Sequence, residues 1–153
     1  MNEAMDVLLI EDSPGDVRLA CEAFRDANKS VHVHVAPDGL QAMAFLRRKG
    51  MYANAPRPKL ILLDLNLPQM NGHDVLARVK GDEALKSIPT VVMTTADWDM
   101  DIFKSYQLHA NCYVQKPTHF EAFQSLVRSI NNFWLTDNSA PVLMAKTITL
   151  GAR

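Results

Sequence analysis

Glu11 and Asp12 follow the apolar run Val7-Leu8-Leu9-Ile10, and Asp64 follows a second run, Leu60-Ile61-Leu62-Leu63. A short apolar strand ending in a carboxylate sets that group at the C-terminal edge of its sheet, where open α/β sheets bind ligands. Two such strands side by side bring three acids into one crevice. Their repulsion, roughly 4 kcal/mol per pair at 4 Å in an intermediate dielectric, calls for a cation, and oxygen ligands suit Mg²⁺. Two later runs end in further polar groups: Val91-Val92-Met93 in Thr94, and Tyr113-Val114-Gln115 in Lys116-Pro117. A hydroxyl and an ammonium beside an acidic crevice suit phosphoryl transfer to a carboxylate. The carboxylate attacks, the metal and lysine offset charge on the phosphoryl oxygens, and the hydroxyl gains an anion to bond.

These groups need strands and helices in alternation to hold them, and the patterning supplies five such pairs. Strands are expected at Met5–Ile10, Val31–Ala36, Leu60–Asp64, Thr90–Thr95 and Cys112–Gln115. Helical spacing marks Asp16–Asn28, Gly39–Lys49, Gly72–Gly81, Met100–Leu108 and His119–Leu135. The stretch Gly50–Lys59, with Pro56 and Pro58, reads as a loop. Regular alternation argues for a doubly wound α/β fold, a parallel sheet with helices on both faces. Right-handed crossovers then favour the flavodoxin-like (βα)5 arrangement, strand order 2-1-3-4-5.

A chain of 153 residues suits one domain, expected over residues 5–135, with a tail over 136–153. The tail is too short for a second folded unit, so no output module is expected. A net charge of −1 gives no field for non-specific nucleic-acid binding. The apolar runs fall far short of the roughly 18 residues of a membrane span, and the N-terminus lacks the features of a signal peptide. Cys21 and Cys112 have no metal-type spacing and read as reduced core thiols of a cytoplasmic protein.

Taken in order, Glu11-Asp12, Asp64, Thr94 and Lys116-Pro117 resemble the receiver domain of bacterial two-component response regulators, over about Met5 to Leu135. The resemblance implies that Asp64 accepts a phosphoryl group from a histidine kinase. It implies Mg²⁺ held by Glu11, Asp12, Asp64 and the backbone carbonyl of Asn66. Lys116 would pair with the phosphoryl group, the Lys116-Pro117 peptide would be cis, and Thr94 and Tyr113 would form the conformational switch. Such a protein signals by changing its binding surface and catalyses only its own phosphorylation and dephosphorylation. The run Asp64-Leu-Asn-Leu-Pro68, the segment Tyr106 to Tyr113 and Asn132-Phe-Trp-Leu135 are similar to the phytochrome-associated, single-domain, chemotaxis-type regulators. That similarity implies a phytochrome-type sensor kinase as donor, with a phosphotransfer protein as a further candidate partner.

The rival from another class is an aspartate-nucleophile phosphatase of haloacid-dehalogenase type. It needs a titratable acid two residues after its nucleophile, where this chain has Asn66. A flavin or nucleotide carrier would need a phosphate-cradling loop after the first strand, and Glu11-Asp-Ser-Pro-Gly15 is not one. His32 and His34 read as the exposed polar face of a strand, since no third metal ligand stands nearby. His73-Asp74 opens a single short helix and does not make a kinase phosphoacceptor. On the last helix, Phe120, Phe123, Val127, Ile130 and Trp134 form one apolar stripe, and Ala122, Leu126 and Phe133 a second. Two readings stand for the second stripe. It packs beneath the tail, or with Phe103, Tyr106 and the tail segments Pro141–Met144 and Thr147–Leu150 it forms a homodimer face. Ala96, two residues after Thr94, has no polar group to orient an attacking water, so self-dephosphorylation is expected to be no faster than with an acid there.

Overall fold

Four of the strands carry almost no polar side chain before their last residue, and the fold explains why. The computed structural model describes residues 5–95 and 109–135, with the backbone of 146–147. Strands β1 (Met5–Ile10), β2 (Val31–Ala36), β3 (Leu60–Asp64), β4 (Thr90–Thr94) and β5 (Cys112–Gln115) pair in parallel in the order 2-1-3-4-5. Every residue of β3 and β4 is buried, as expected where helices cover both faces of a parallel sheet.

Side chains alternate between two cores. Leu8, Ile10, Ile61, Leu63 and Val92 face α2 (Gly39–Arg47) and α3 (Gly72–Gly81). Val7, Leu9, Leu60, Leu62, Val91 and Met93 face α1 (Pro14–Ala27) and α4 (Phe120–Trp134). A bond from Asn28 Nδ2 to Asn131 Oδ1, 2.9 Å, joins the ends of α1 and α4. The register opposes Ile10 to Leu63 and Asp64 to Met93, so the exits of β1, β3 and β4 lie along one edge.

Most expected elements stand within a residue or two of their places, and the differences have local causes. Helix α1 begins at Pro14, because Ser13 caps it and proline suits the first helical position. The expected loop contains a 3₁₀ turn, Gly50–Tyr52. His32 is exposed as expected, but His34 is not simply solvated. Its Nε2 lies 2.8 Å from Asp6 Oδ1, and its ring lies 5.3 Å from that of Phe45. A short β6 (Lys146–Thr147) adds to the sheet beside β5. On α4, Leu126 of the second stripe is fully buried in the core with Phe123, Val127 and Ile130, while Ala122 and Phe133 are half-buried. The expected helix Met100–Leu108, with Phe103 and Tyr106, lies outside the described residues, as do Ala96 and the tail segments 141–144 and 148–150.

Candidate functional site

The crevice is built from the ends of β1, β3 and β5. Glu11, Asp12 and Asp64 each offer a carboxylate oxygen, and these oxygens lie within 4.8 Å of one another. Glu11 and Asp64 are each about 1% exposed, while Asp12 is exposed. Asp64 Oδ1 accepts from the backbone N–H of Asn66 at 3.0 Å, which fixes the carboxylate over the turn that follows β3. Gly72, at the start of α3, donates its N–H to Leu65 O at 3.0 Å, drawing the helix against that turn.

Lys116 reaches into the same crevice from the end of β5, its side chain 10% exposed. Its Nζ lies 2.8 Å from Glu11 Oε1, 2.9 Å from Asp64 Oδ2 and 3.0 Å from Asp16 Oδ2. Asp16 was not among the residues expected from the sequence. It stands at the third position of α1, where an acid after a Ser cap ordinarily reaches back to the cap's own N–H. Here Ser13 N–H goes instead to Glu11 Oε2 at 3.1 Å. The Asp16 carboxylate is left for Lys116. The Ser-x-x-Asp spacing was the available signal, but it marks a helix start and does not name a distant lysine.

Electrostatics follow from this crowding. Burial lifts the Glu11 carboxyl from 4.5 to about 7; the Asp64 charge adds to the lift, and hydrogen bonds from Lys116 and Ser13 oppose it. Burial alone would lower the Lys116 ammonium, but its bonds to Glu11, Asp64 and Asp16 reverse this and hold it above its usual range. Four carboxylates against one ammonium leave a formal −3 in the fully ionised crevice (−4 + 1). Three clustered oxygen donors and uncompensated negative charge fit a hard divalent cation such as Mg²⁺. Such a cation would supply electrostatic stabilisation of an incoming phosphoryl group.

Thr94 is fully buried at the end of β4, its carbonyl accepting from Lys116 N–H at 2.8 Å. Tyr113 is also fully buried, within the core on the α2/α3 side, so its ring is already turned inward in this conformation. Thr95, next to Thr94, places Oγ1 3.4 Å from Asn66 Nδ2. The Lys116–Pro117 peptide is trans, against the cis form expected. Trans is the isomer an X–Pro bond favours by about 0.5–1 kcal/mol. Two residues after Asp64 stands a carboxamide, with no acid to serve a phosphatase, and the dehalogenase-type alternative finds no support.

Comparison with known proteins agrees with this geometry. The family model described as response regulator receiver domain matches residues 7–128. The response regulator Rcp1 of Synechocystis sp. is 44% identical over 135 residues, covering 88% of this chain and 92% of that one. Among solved structures, the phosphorylated cyanobacterial phytochrome response regulator RcpA superposes with a TM-score of 0.82 at 46% identity, covering 87% of this chain and 95% of that one. The Mn²⁺-bound form of Rcp1 gives 0.81 at 44% identity, covering 90% and 99%. Among the described residues, no helix is long and apolar enough to cross a membrane.

Proposed function

Since the chain belongs to the response regulator receiver family, we propose that Asp64 is its phosphoacceptor and that the donor is the phosphohistidine of a sensor kinase. The observation that carries this is the pairing of buried Asp64 with Lys116 at 2.9 Å inside a three-carboxylate cluster. A carboxylate oxygen of Asp64 attacks phosphorus, the P–N bond of the donor breaks, and the imidazole nitrogen keeps the electron pair. Glu11, Asp12, Asp64 and the backbone carbonyl of Asn66 hold Mg²⁺. Lys116 meets the negative phosphoryl oxygens, and Thr94 bonds to one of them once transfer is complete. The new group adds about −1.5 to −2 charge, and Thr94 and Tyr113 convert it into a changed protein-binding surface. The protein is a signalling switch that catalyses only its own loading and decay.

The similarity to RcpA, named as a cyanobacterial phytochrome response regulator, supports a phytochrome-type kinase as donor. The reading places the protein in the cytoplasm, where kinases draw on ATP, with a phosphotransfer protein as a second exchange partner. Residues 5–135 form the receiver, and residues 136–153 an arm. A second copy of the chain is the partner for the helix-tail side, where half-buried Ala122 and Phe133 border the core stripe of α4. A monomeric mass at micromolar concentration, with and without a phosphoryl mimic, would eliminate the dimer.

The decisive experiment is intact mass after incubation with Mg²⁺ and acetyl phosphate, beside Asp64→Asn. Gain of one phosphoryl group by the parent alone is expected. Gain by both proteins would move the acceptor elsewhere.

A further inference from the structure

An ammonium has three N–H donors, and the Lys116 ammonium has three carboxylates at bonding distance: Glu11, Asp64 and Asp16. Two of these partners have other work. Glu11 and Asp64 belong to the oxygen cluster that suits a cation, and Asp64 commits a carboxylate oxygen to the acyl phosphate when it is phosphorylated. Asp16 stands outside that cluster. It is carried by the first turn of α1, and its carboxylate is not used to cap the helix, because Ser13 N–H is already given to Glu11. Its side chain is 28% exposed, against 2% for Asp64, so it meets the lysine from the solvent side of the crevice.

We propose that Asp16 is the positioning residue for Lys116, holding the ammonium from α1 so that one N–H stays aimed at Asp64 both before and after phosphoryl transfer. The inference rests on Asp64 being the acceptor. It gives α1 a part in the chemistry. Glu11 and Asp16 flank the ammonium as ion-pair partners at 2.8 and 3.0 Å, and the N–H given to Asp64 Oδ2 passes to a phosphoryl oxygen without the lysine having to search for it. A carboxylate so close to the incoming anion would be an electrostatic handicap if charge were its only contribution, so its value lies in the hydrogen bond.

The test compares the parent, Asp16→Ala, Asp16→Asn and Asp64→Asn in two measurements. These are the initial rate of phosphoryl uptake from acetyl phosphate with Mg²⁺, and the ¹⁵N NMR signal of the Lys116 ammonium. Removing a direct donor to reacting charge costs roughly a hundredfold or more, and removing an anchor behind that donor should cost less, about three- to tenfold. Asp16→Ala is expected to show that loss together with a shifted, faster-exchanging ammonium signal. Asp16→Asn keeps an oxygen acceptor and should stay within about twofold of the parent rate. If Asp16→Ala does not fold, Asp16→Ser, whose hydroxyl is one atom shorter, serves in its place. A parental rate in the alanine or serine variant overturns the proposal, and so does an equal loss in Asp16→Asn. No uptake by the parent, with the ammonium signal still displaced in Asp16→Ala, would refute the acceptor reading and leave the anchor standing.

Discussion

Replacing Gly72 by alanine tests whether helix α3 is seated directly on the exit of β3, the strand that ends in Asp64. A Cβ at this position would lie 2.4 Å from Leu65 Cα, 2.7 Å from Asp64 O and 2.9 Å from Leu65 O. Ordinary contact begins near 3.4 Å, so about 1.0 Å must open between the helix and the turn (3.4 − 2.4). All three obstructing atoms are backbone, so no side chain can rotate out of the way. Overpacking typically costs about 1–3 kcal/mol, and an obstruction made of backbone belongs at the upper end, near 3. For a domain of this size that lowers the thermal midpoint by about 6–12 °C. Gly81, at the other end of the same helix, is the internal control. Nothing lies within 4 Å of its added Cβ, and Gly81→Ala should stabilise by about 0.4–1 kcal/mol through the unfolded chain. Urea unfolding at constant slope compares the two. Phosphoryl uptake by Gly72→Ala should also fall further than its unfolded fraction explains, because the atoms forced to move include the Asp64 carbonyl. A stability for Gly72→Ala within about 0.5 kcal/mol of the parent, the ordinary range for surface changes, would refute the reasoning.

Three other outcomes follow from the charged groups. Glu11 has its carboxyl lifted from 4.5 to about 7, so the metal-free native state holds a proton the unfolded chain has released. Its contribution to stability is full below about 4.5 and is lost as pH rises through 7. Urea titrations should show the parent losing stability relative to Glu11→Gln between pH 5 and 8 (roughly that window), and a flat difference would contradict the assignment. At the upper end of that window, Mg²⁺ should stabilise the parent by binding only the native state, and a chelator should reverse the gain. Lys80 has its ammonium pulled by burial from 10.5 to about 8, so the opposite slope applies. Its contribution is full above 10.5, is lost as pH falls through 8, and should vanish from the unfolding profile of Lys80→Met. At neutral pH, Lys80→Met should also lose about 0.5–1.5 kcal/mol, a modest cost because Asn111 Oδ1 and the Ile88 carbonyl keep bonds from Thr90 and the Lys86 carbonyl is open to water.

Much of the site could be read from the chain because its chemistry sits where patterning changes. Leu60–Asp64 is an unbroken apolar run stopped by an acid, and the structure places that strand and Gly72–Gly81 at the expected bounds. Glu11, Asp64 and Lys116 each follow such a run, so a parallel sheet was enough to bring them together. Asp16 escaped because a first-turn acid is explained locally, by the helix dipole and cap, and nothing local names a lysine one hundred residues on. Lys80 escaped for the mirror reason: a lysine in a helix's last turn reads as complementing the dipole. Asp6 and His34 needed the strand register, which opposes Asp6 to His32 and brings His34 within reach diagonally. Strand β6 has only two residues, too few for any periodicity to announce it.

Helix α3 is fastened at both ends. At its start, Gly72 bonds to Leu65 and lies too close to the Asp64–Leu65 backbone to admit a methyl group. At its finish, Lys80 Nζ reaches the Lys86 and Ile88 carbonyls, 3.0 and 2.8 Å away, and Asn111 Oδ1 at 2.8 Å, beside the points where β4 and β5 enter the sheet. Asn111 Oδ1 also accepts from Thr90 N–H at 2.9 Å, so one carboxamide gathers the entries of both strands to the helix. The sheet is therefore clamped along the rim where β4 and β5 enter it. Entries of β4 and β5 are bolted to α3, whereas the exit of β5, at Lys116, is held by the carboxylates of Glu11, Asp16 and Asp64. Under the proposed switch, an abutment fixed at the strand entries acts as a lever's fulcrum and leaves any displacement to the exits of β4 and β5.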